Sequence, residues 1–183
     1  MNIWKYYDGD LKYPDLSKHS HIKEVAKVTP KWAFEYAEEH GKDEDLESII
    51  AKDVYYSYHY ALDILEGPFN LGEPAIAKNA YYSILYAEYV LHDRFELAEP
   101  EIAKCANFSL RYAIHVLKGP FPIGESAIAT NSYQSYYYAS DALKGEFPAG
   151  EPAIAEDKLY SRLYTRFVLK RDFYLDNKLI CEL

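Results

Sequence analysis

The sequence predicts an all-α fold, an α-solenoid of stacked helical hairpins with about six 26-residue repeats, wound right-handed. Three observations predict it. First, Glu47, Glu73, Glu99, Glu125 and Glu151 recur at a spacing of 26 with no gap. Second, blocks written from those positions share seven identical columns. They are the opening Glu, the Ile of Ile50, Ile76, Ile102, Ile128 and Ile154, and the Ala that follows each. Further along come a Ser (57, 83, 109, 135, 161), a Tyr (60, 86, 112, 138, 164), a Leu (65 to 169) and a Phe (69 to 173). Third, the apolar spacing inside each block is helical. Self-similarity at a period of 20–50 residues marks stacked supersecondary units, each unable to bury its apolar face alone.

Residues 1–20, "MNIWKYYDGDLKYPDLSKHS", read as an N-terminal extension. Residues 21–46 read as a degenerate repeat. Val25-Ala26 stands for Ile-Ala, Thr29-Pro30 for a cap and first turn, and Tyr36-Ala37 for Tyr-Ala. Regular repeats follow at 47–72, 73–98, 99–124, 125–150 and 151–176, and a tail at 177–183 leaves the pattern. Each regular block opens with Glu, then Pro at 74, 100 and 152. Proline suits the first helical turn, where its missing N–H is not needed, and an acidic residue suits the positive helix end. A short first helix is therefore expected there. Six residues on stand Asp53, Asn79, Cys105, Asn131 and Asp157. Four of these five types are good N-caps, so a second helix is expected to start at each. One bent helix per block is the competing reading, and the regular recurrence of caps argues against it. Ser83, Tyr86, Ala87, Val90 and Leu91 then fall on one helical face. Gly67, Gly119 and Gly145 sit where helix C-caps sit. The Phe is expected to tuck back from the loop, with Gly72, Gly124 and Gly150 turning the chain into the next unit.

Composition narrows the function classes. The chain has 183 residues, 49% hydrophobic and 27% charged, which suits a folded domain and not a disordered one. No apolar run approaches a membrane span, and the N-terminus lacks the apolar core of a secretory signal, so a cytoplasmic protein without membrane contact is expected. Two cysteines make no disulfide framework. Net charge is −9, which argues against binding a nucleic-acid backbone. A DNA mimic would need acids spread along one face, whereas here they cluster at 35–47 and block 99–124 is net positive. His19, His21, His40, His59, His92 and His115 form no metal-ligand spacing, and no phosphate loop, nucleophile elbow or CxxC is present. No cofactor, no metal and no catalytic residue is expected. Cys105 in a cap column reads as a tolerated substitution. The Ser-Tyr ladder reads as packing, with each buried Tyr bonded to backbone or to a Ser hydroxyl; a catalytic group does not need five copies.

Function is expected where the repeats differ. On the second helix, one flank of the constant stripe carries Tyr55, His59 and Asp63, then Tyr81, Leu85 and Tyr89, then Asn107, Arg111 and His115. It continues with Tyr133, Tyr137 and Asp141, then Leu159, Leu163 and Phe167. Aromatic side chains with polar tips are frequent in binding hot spots. From this flank Tyr55, His59, Tyr81, Tyr89, Arg111, His115, Tyr133 and Tyr137 are the candidate partner-binding residues. The other flank, with Ile84, Leu110 and Ile114, reads as core between units. The acidic stretch supplies a second candidate surface for a basic partner: Glu38, Glu39, Asp43, Glu44 and Asp45.

The phrase "FPxGEPAIA", followed by Tyr, Tyr-Ala and Val-Leu, resembles the short tandem helical repeats of uncharacterised proteins from tailed bacteriophages and some bacteria. The resemblance spans roughly 47–176. Where those repeats often open the second helix with Asp-Pro, this chain lacks the Pro and keeps the cap. The resemblance implies an α-solenoid and a phage origin, and brings no catalytic residues. The expectation is a non-enzymatic protein-binding module whose partner is a host protein, with self-association left open. A small-molecule or nucleotide sponge and a virion or self-assembly protein are the alternatives.

Overall fold

The computed structural model describes residues 22–183. The extension at 1–20 and the His19/His21 pair lie outside the described residues. The chain forms two compact units, one reaching Tyr82 and one starting at Ser83. Apart from one small hairpin, every regular element among the described residues is helical.

In the first unit the degenerate repeat forms α1 (Ile22–Ala26) and α2 (Pro30–His40). Thr29 caps α2, its Oγ1 accepting from the Trp32 N–H at 3.2 Å. The next repeat forms α3 (Glu44–Ile50) and α4 (Val54–His59), and α5 (Glu73–Ile76) opens the third. The second helix of that third repeat is α6 (Ala80–Tyr86). In the second unit the first helices are α7 (Glu99–Ile102), α9 (Glu125–Ile128) and α11 (Glu151–Glu156). Their partners are α8 (Ala106–Arg111), α10 (Ser132–Tyr137) and α12 (Lys158–Leu163). Each block is thus two helices with a break between them. Within residues 83–183, α8, α10 and α12 pack side by side, and α9 and α11 fill against the preceding α8 and α10.

The expected caps are made. Asp53 accepts from the N–H groups of Tyr55 and Tyr56, Asn131 from Tyr133 and Gln134, and Asp157 from Leu159 and Tyr160. Asn79 accepts from the Tyr82 N–H at 3.2 Å. Cys105 caps α8 with no side-chain bond.

The far end of each second helix departs from expectation. It widens into π-helix at Tyr60–Leu65, Ala87–Leu91, Tyr112–Leu117, Tyr138–Leu143 and Tyr164–Leu169. A π turn bonds i to i+5, so it holds about one residue more than an α turn and rotates the following side chains. Ser83, Tyr86 and Ala87 are buried as the α period requires, but Val90 and Leu91 beyond them are only half-buried. The glycine expectation is corrected as well. The left-handed residue that ends each helix is one place earlier, at Glu66, His92, Lys118, Lys144 and Lys170, with φ of 49–54°. In the second unit, both Lys118 N–H and Gly119 N–H reach the Ala113 carbonyl, and the same pair of bonds closes on Ala139. These bonds hold the chain reversal, so the next position needs no glycine, and Asp93 and Arg171 occupy it in two repeats.

The tail also differs. Phe173–Leu175 and Lys178–Cys181 form β1 and β2, an antiparallel hairpin with a register shift beside Phe173. Asp176 and Asn177 turn it, both with positive φ (51° and 63°), as a two-residue type I′ turn requires. The Phe173 ring packs on Tyr164 at 5.4 Å, so the strand begins with the Phe that every repeat places there.

The repeated columns are internal. Ser57, Ser109, Ser135 and Ser161 donate to the carbonyls of Ile50, Ile102, Ile128 and Ile154 at 2.8–3.2 Å, joining the two helices of one repeat. Tyr138 donates to Glu125 Oε1 at 2.8 Å and accepts from the Phe121 N–H at 2.8 Å. Tyr112 joins Glu99 and Phe95 in the same way, and Tyr164 joins Glu151 and Phe147. The tyrosine partner is therefore backbone and the repeated Glu, not Ser. Each such tyrosine packs edge-on or tilted against the following Phe, with ring centroids 4.9–5.4 Å apart.

Gly124 makes room for this: a Cβ there would lie 2.4 Å from the Phe121 ring and 2.8 Å from Ser109 Cβ. The degenerate repeat fills the same space differently. Asp43 stands in the Phe column and buried Leu46 in the Gly column. The amide of Asp43 still donates to the Tyr60 hydroxyl, at 3.4 Å.

Candidate functional site

Four of the residues picked from the sequence converge in the second unit. Arg111 and His115 from the α8 limb face Tyr133 and Tyr137 of α10 across a groove of about 420 Å³. Asn107, Leu110, Ile114 and Asp141 complete its lining. Asn107 and Arg111 on α8, and Tyr133 and Tyr137 on α10, share one helix face at α spacing, the π turns that follow bring His115 and Asp141 to the same lining, and side-by-side packing of α8 and α10 makes the groove. Leu110 and Ile114, expected between units, are its floor, Leu110 buried and Ile114 half-buried.

The electrostatics of the groove follow from its pairs. Arg111 is already engaged: Nε and Nη2 donate to the two oxygens of Glu88 at 3.1 and 2.7 Å. This fork holds the guanidinium against the groove wall and neutralises it. Asp141 accepts from the Ser140 hydroxyl at 2.7 Å. Tyr133 and Tyr137 make an open aromatic corner, centroids 4.6 Å apart and planes at 49°. Behind it Tyr136 and Tyr160 continue the aromatic surface, Tyr133 to Tyr160 at 5.9 Å and Tyr136 to Tyr160 at 5.8 Å. Burial raises the phenol pKa of Tyr136 above its ordinary value.

Tyr89, elsewhere in this unit, is 53% exposed, and Leu159 and Phe167 on the α12 limb are 59% and 55% exposed. The remaining picks lie in the first unit. Tyr55 meets His59 at a tilt of 47°, ring centroids 4.4 Å apart, and His59 Nδ1 bonds Asp63 Oδ2 at 2.8 Å. Tyr81 is exposed and touches Tyr82. In the acidic stretch Asp43 caps α3 and, with Asp45, holds Lys23 at 2.7 and 2.8 Å. That contact lowers the Asp45 carboxyl pKa below its usual range. Glu44 reaches Lys42, while Glu38 and Glu39 are exposed.

A repeat column not singled out from the sequence is that of Leu71, Leu97 and Ile123, two places before the Glu of the next repeat, and each of the three is exposed. An apolar residue between Phe and Gly reads as packing; only the structure turns it outward. A larger cleft, about 620 Å³, lies between α12 and the terminal hairpin. Lys158, Arg162, Ile180 and Glu182 line it with no aromatic ring. Among the described residues no cluster of His, Cys, Asp or Glu is arranged to hold a metal, and no helix is long and apolar enough to cross a membrane. Comparison of the chain with protein-family models, curated proteins and solved structures finds no significant match.

Proposed function

We propose that this chain is a non-enzymatic protein-binding module, and that its contact surface is the groove between α8 and α10 together with the exposed variable residues on the second helices of the neighbouring repeats. One observation carries the reading. The residues that repeat are consumed by internal bonds, whereas Tyr89, Tyr133, Leu159 and Phe167, which vary, are 45–59% exposed. Large apolar side chains left at the surface beside a groove are a recognised mark of interaction sites. Tyrosine adds contact area at little entropic cost and keeps a hydroxyl for the rim. The resemblance of the repeat to tailed-phage proteins supports a host enzyme or defence component as partner.

The test is capture from bacterial lysate by three proteins of equal helicity: the wild type, Tyr89→Ala/Tyr133→Ala, and Leu97→Ser/Ile123→Ser. The expected result is one partner held by the wild type and the loop variant and lost by the aromatic variant. A partner lost only by the loop variant would place binding on the other surface. Equal capture by all three would overturn the assignment.

A further inference from the structure

We propose that the corner formed by Tyr133, Tyr137 and Asp141 receives an arginine side chain presented by a protein partner. The inference rests on the binding-module reading and names what the groove recognises. The first unit displays the pattern. Tyr55, His59 and Asp63 occupy the same repeat columns as Tyr133, Tyr137 and Asp141, three periods earlier. There the carboxylate binds a nitrogen heterocycle, His59 Nδ1 at 2.8 Å, and that ring packs at a tilt against Tyr55, centroids 4.4 Å apart. In the later repeat Tyr137 replaces the histidine. Asp141 keeps its Ser140 bond, but no cation among the described residues pairs with it. Arg111, the guanidinium on the groove wall, is occupied by Glu88.

The corner is therefore a carboxylate without a counter-ion beside two electron-rich rings 4.6 Å apart. A cation over aromatic faces is attracted by their quadrupoles, and the attraction grows as water is excluded. Guanidinium fits better than ammonium because it is planar: it stacks on a ring and forks a carboxylate at once. The groove, about 420 Å³, holds a side chain of that size. An anionic group would meet the Asp141 carboxylate, while Arg111 on the opposite wall is engaged by Glu88. The chain's net charge of −9 favours approach of a basic segment.

The experiment is calorimetric titration of the full chain with two blocked Gly-Ser peptides, one carrying a central arginine and the other citrulline, its neutral isostere. The expected result is binding of the arginine peptide, weakened about tenfold or more for citrulline, the size of a lost charge-assisted hydrogen bond. Asp141→Asn should weaken the arginine peptide by a similar factor. Tyr137→His rebuilds the Tyr-His-Asp set of the first unit, keeps a ring in place, and should weaken it as much by filling the corner from within. Equal binding of the two peptides, arginine binding that survives both variants, or no arginine binding up to the solubility limit would each overturn the proposal. The lysate capture is read separately. Loss of peptide discrimination with partner capture intact sinks the arginine assignment alone, and peptide binding with no partner captured sinks the protein-partner reading.

Discussion

At the scale of the residue, two repeated side chains and one loop amide form a hydrogen-bonded unit. In each of the repeats opened by Glu99, Glu125 and Glu151, a buried tyrosine hydroxyl donates to the opening Glu and accepts an amide from the loop before it. A buried hydroxyl left unpaired costs about 1–3 kcal/mol, so both partners are needed wherever the tyrosine is. Burial raises the phenol pKa, to about 12 at Tyr60 and further at Tyr112, Tyr138 and Tyr164. Because the folded pKa exceeds the unfolded value of about 10, these groups stabilise the fold fully below about pH 10. That contribution is lost as pH rises through the folded values. Alkaline titration followed by phenolate absorbance and circular dichroism together should show exposed phenols ionising first. The buried set should ionise only as helix is lost. Smooth ionisation of every tyrosine near pH 10 with helix intact would contradict this.

At the scale of the element, the second helix is defined by how it starts and how it stops. It starts on a side-chain cap in every regular repeat except one, where Cys105 accepts nothing. Asn131 in the same column accepts two N–H groups. Cys105→Asn should therefore raise stability by about 1 kcal/mol, the usual worth of an N-cap. It is measured as a higher urea midpoint with an unchanged slope; an unchanged midpoint would mean the first turn of α8 is satisfied another way. It stops on a π turn and a left-handed residue, which carry the chain from Tyr to the loop Phe. The π turn explains why the Leu column is uniform yet mostly half-buried: its spacing was legible as helical, but its rotation was not.

At the scale of the molecule, the second unit is quasi-one-dimensional, each repeat bonded to its neighbours through the same Tyr, Glu and Phe. Stability of such a stack is a sum of repeat and interface terms. Inserting a second copy of residues 125–150 after Gly150 should give a soluble chain with proportionately more helix and a higher thermal midpoint. Aggregation, or a lower midpoint, would show that the interface depends on features outside the repeated columns. The stack closes at its C-terminal side on the β-hairpin, where Phe173 covers Tyr164. A terminal repeat has a face with no successor, and the Asp176-Asn177 turn folds the tail onto α11 and α12 to cover it.

By itself the sequence determined the repeat, its period, the two-helix unit, the caps and the inward columns, because each depends on spacing and side-chain type within about one turn of chain. That Arg111, His115, Tyr133 and Tyr137 lie on helix faces whose composition varies was legible too; that they line one groove was not. Tertiary structure decided the rest. Glu88 of the preceding repeat reaching Arg111 settles which groove charge is spent, and among the described residues no cation pairs with Asp141. The outward turn of Leu97 and Ile123, the exchange of Phe and Gly for Asp43 and Leu46, and the docking of β1 and β2 all depend on which neighbour fills a given space. Local periodicity cannot report that, because it records how a side chain is spaced along its own element and not what lies opposite.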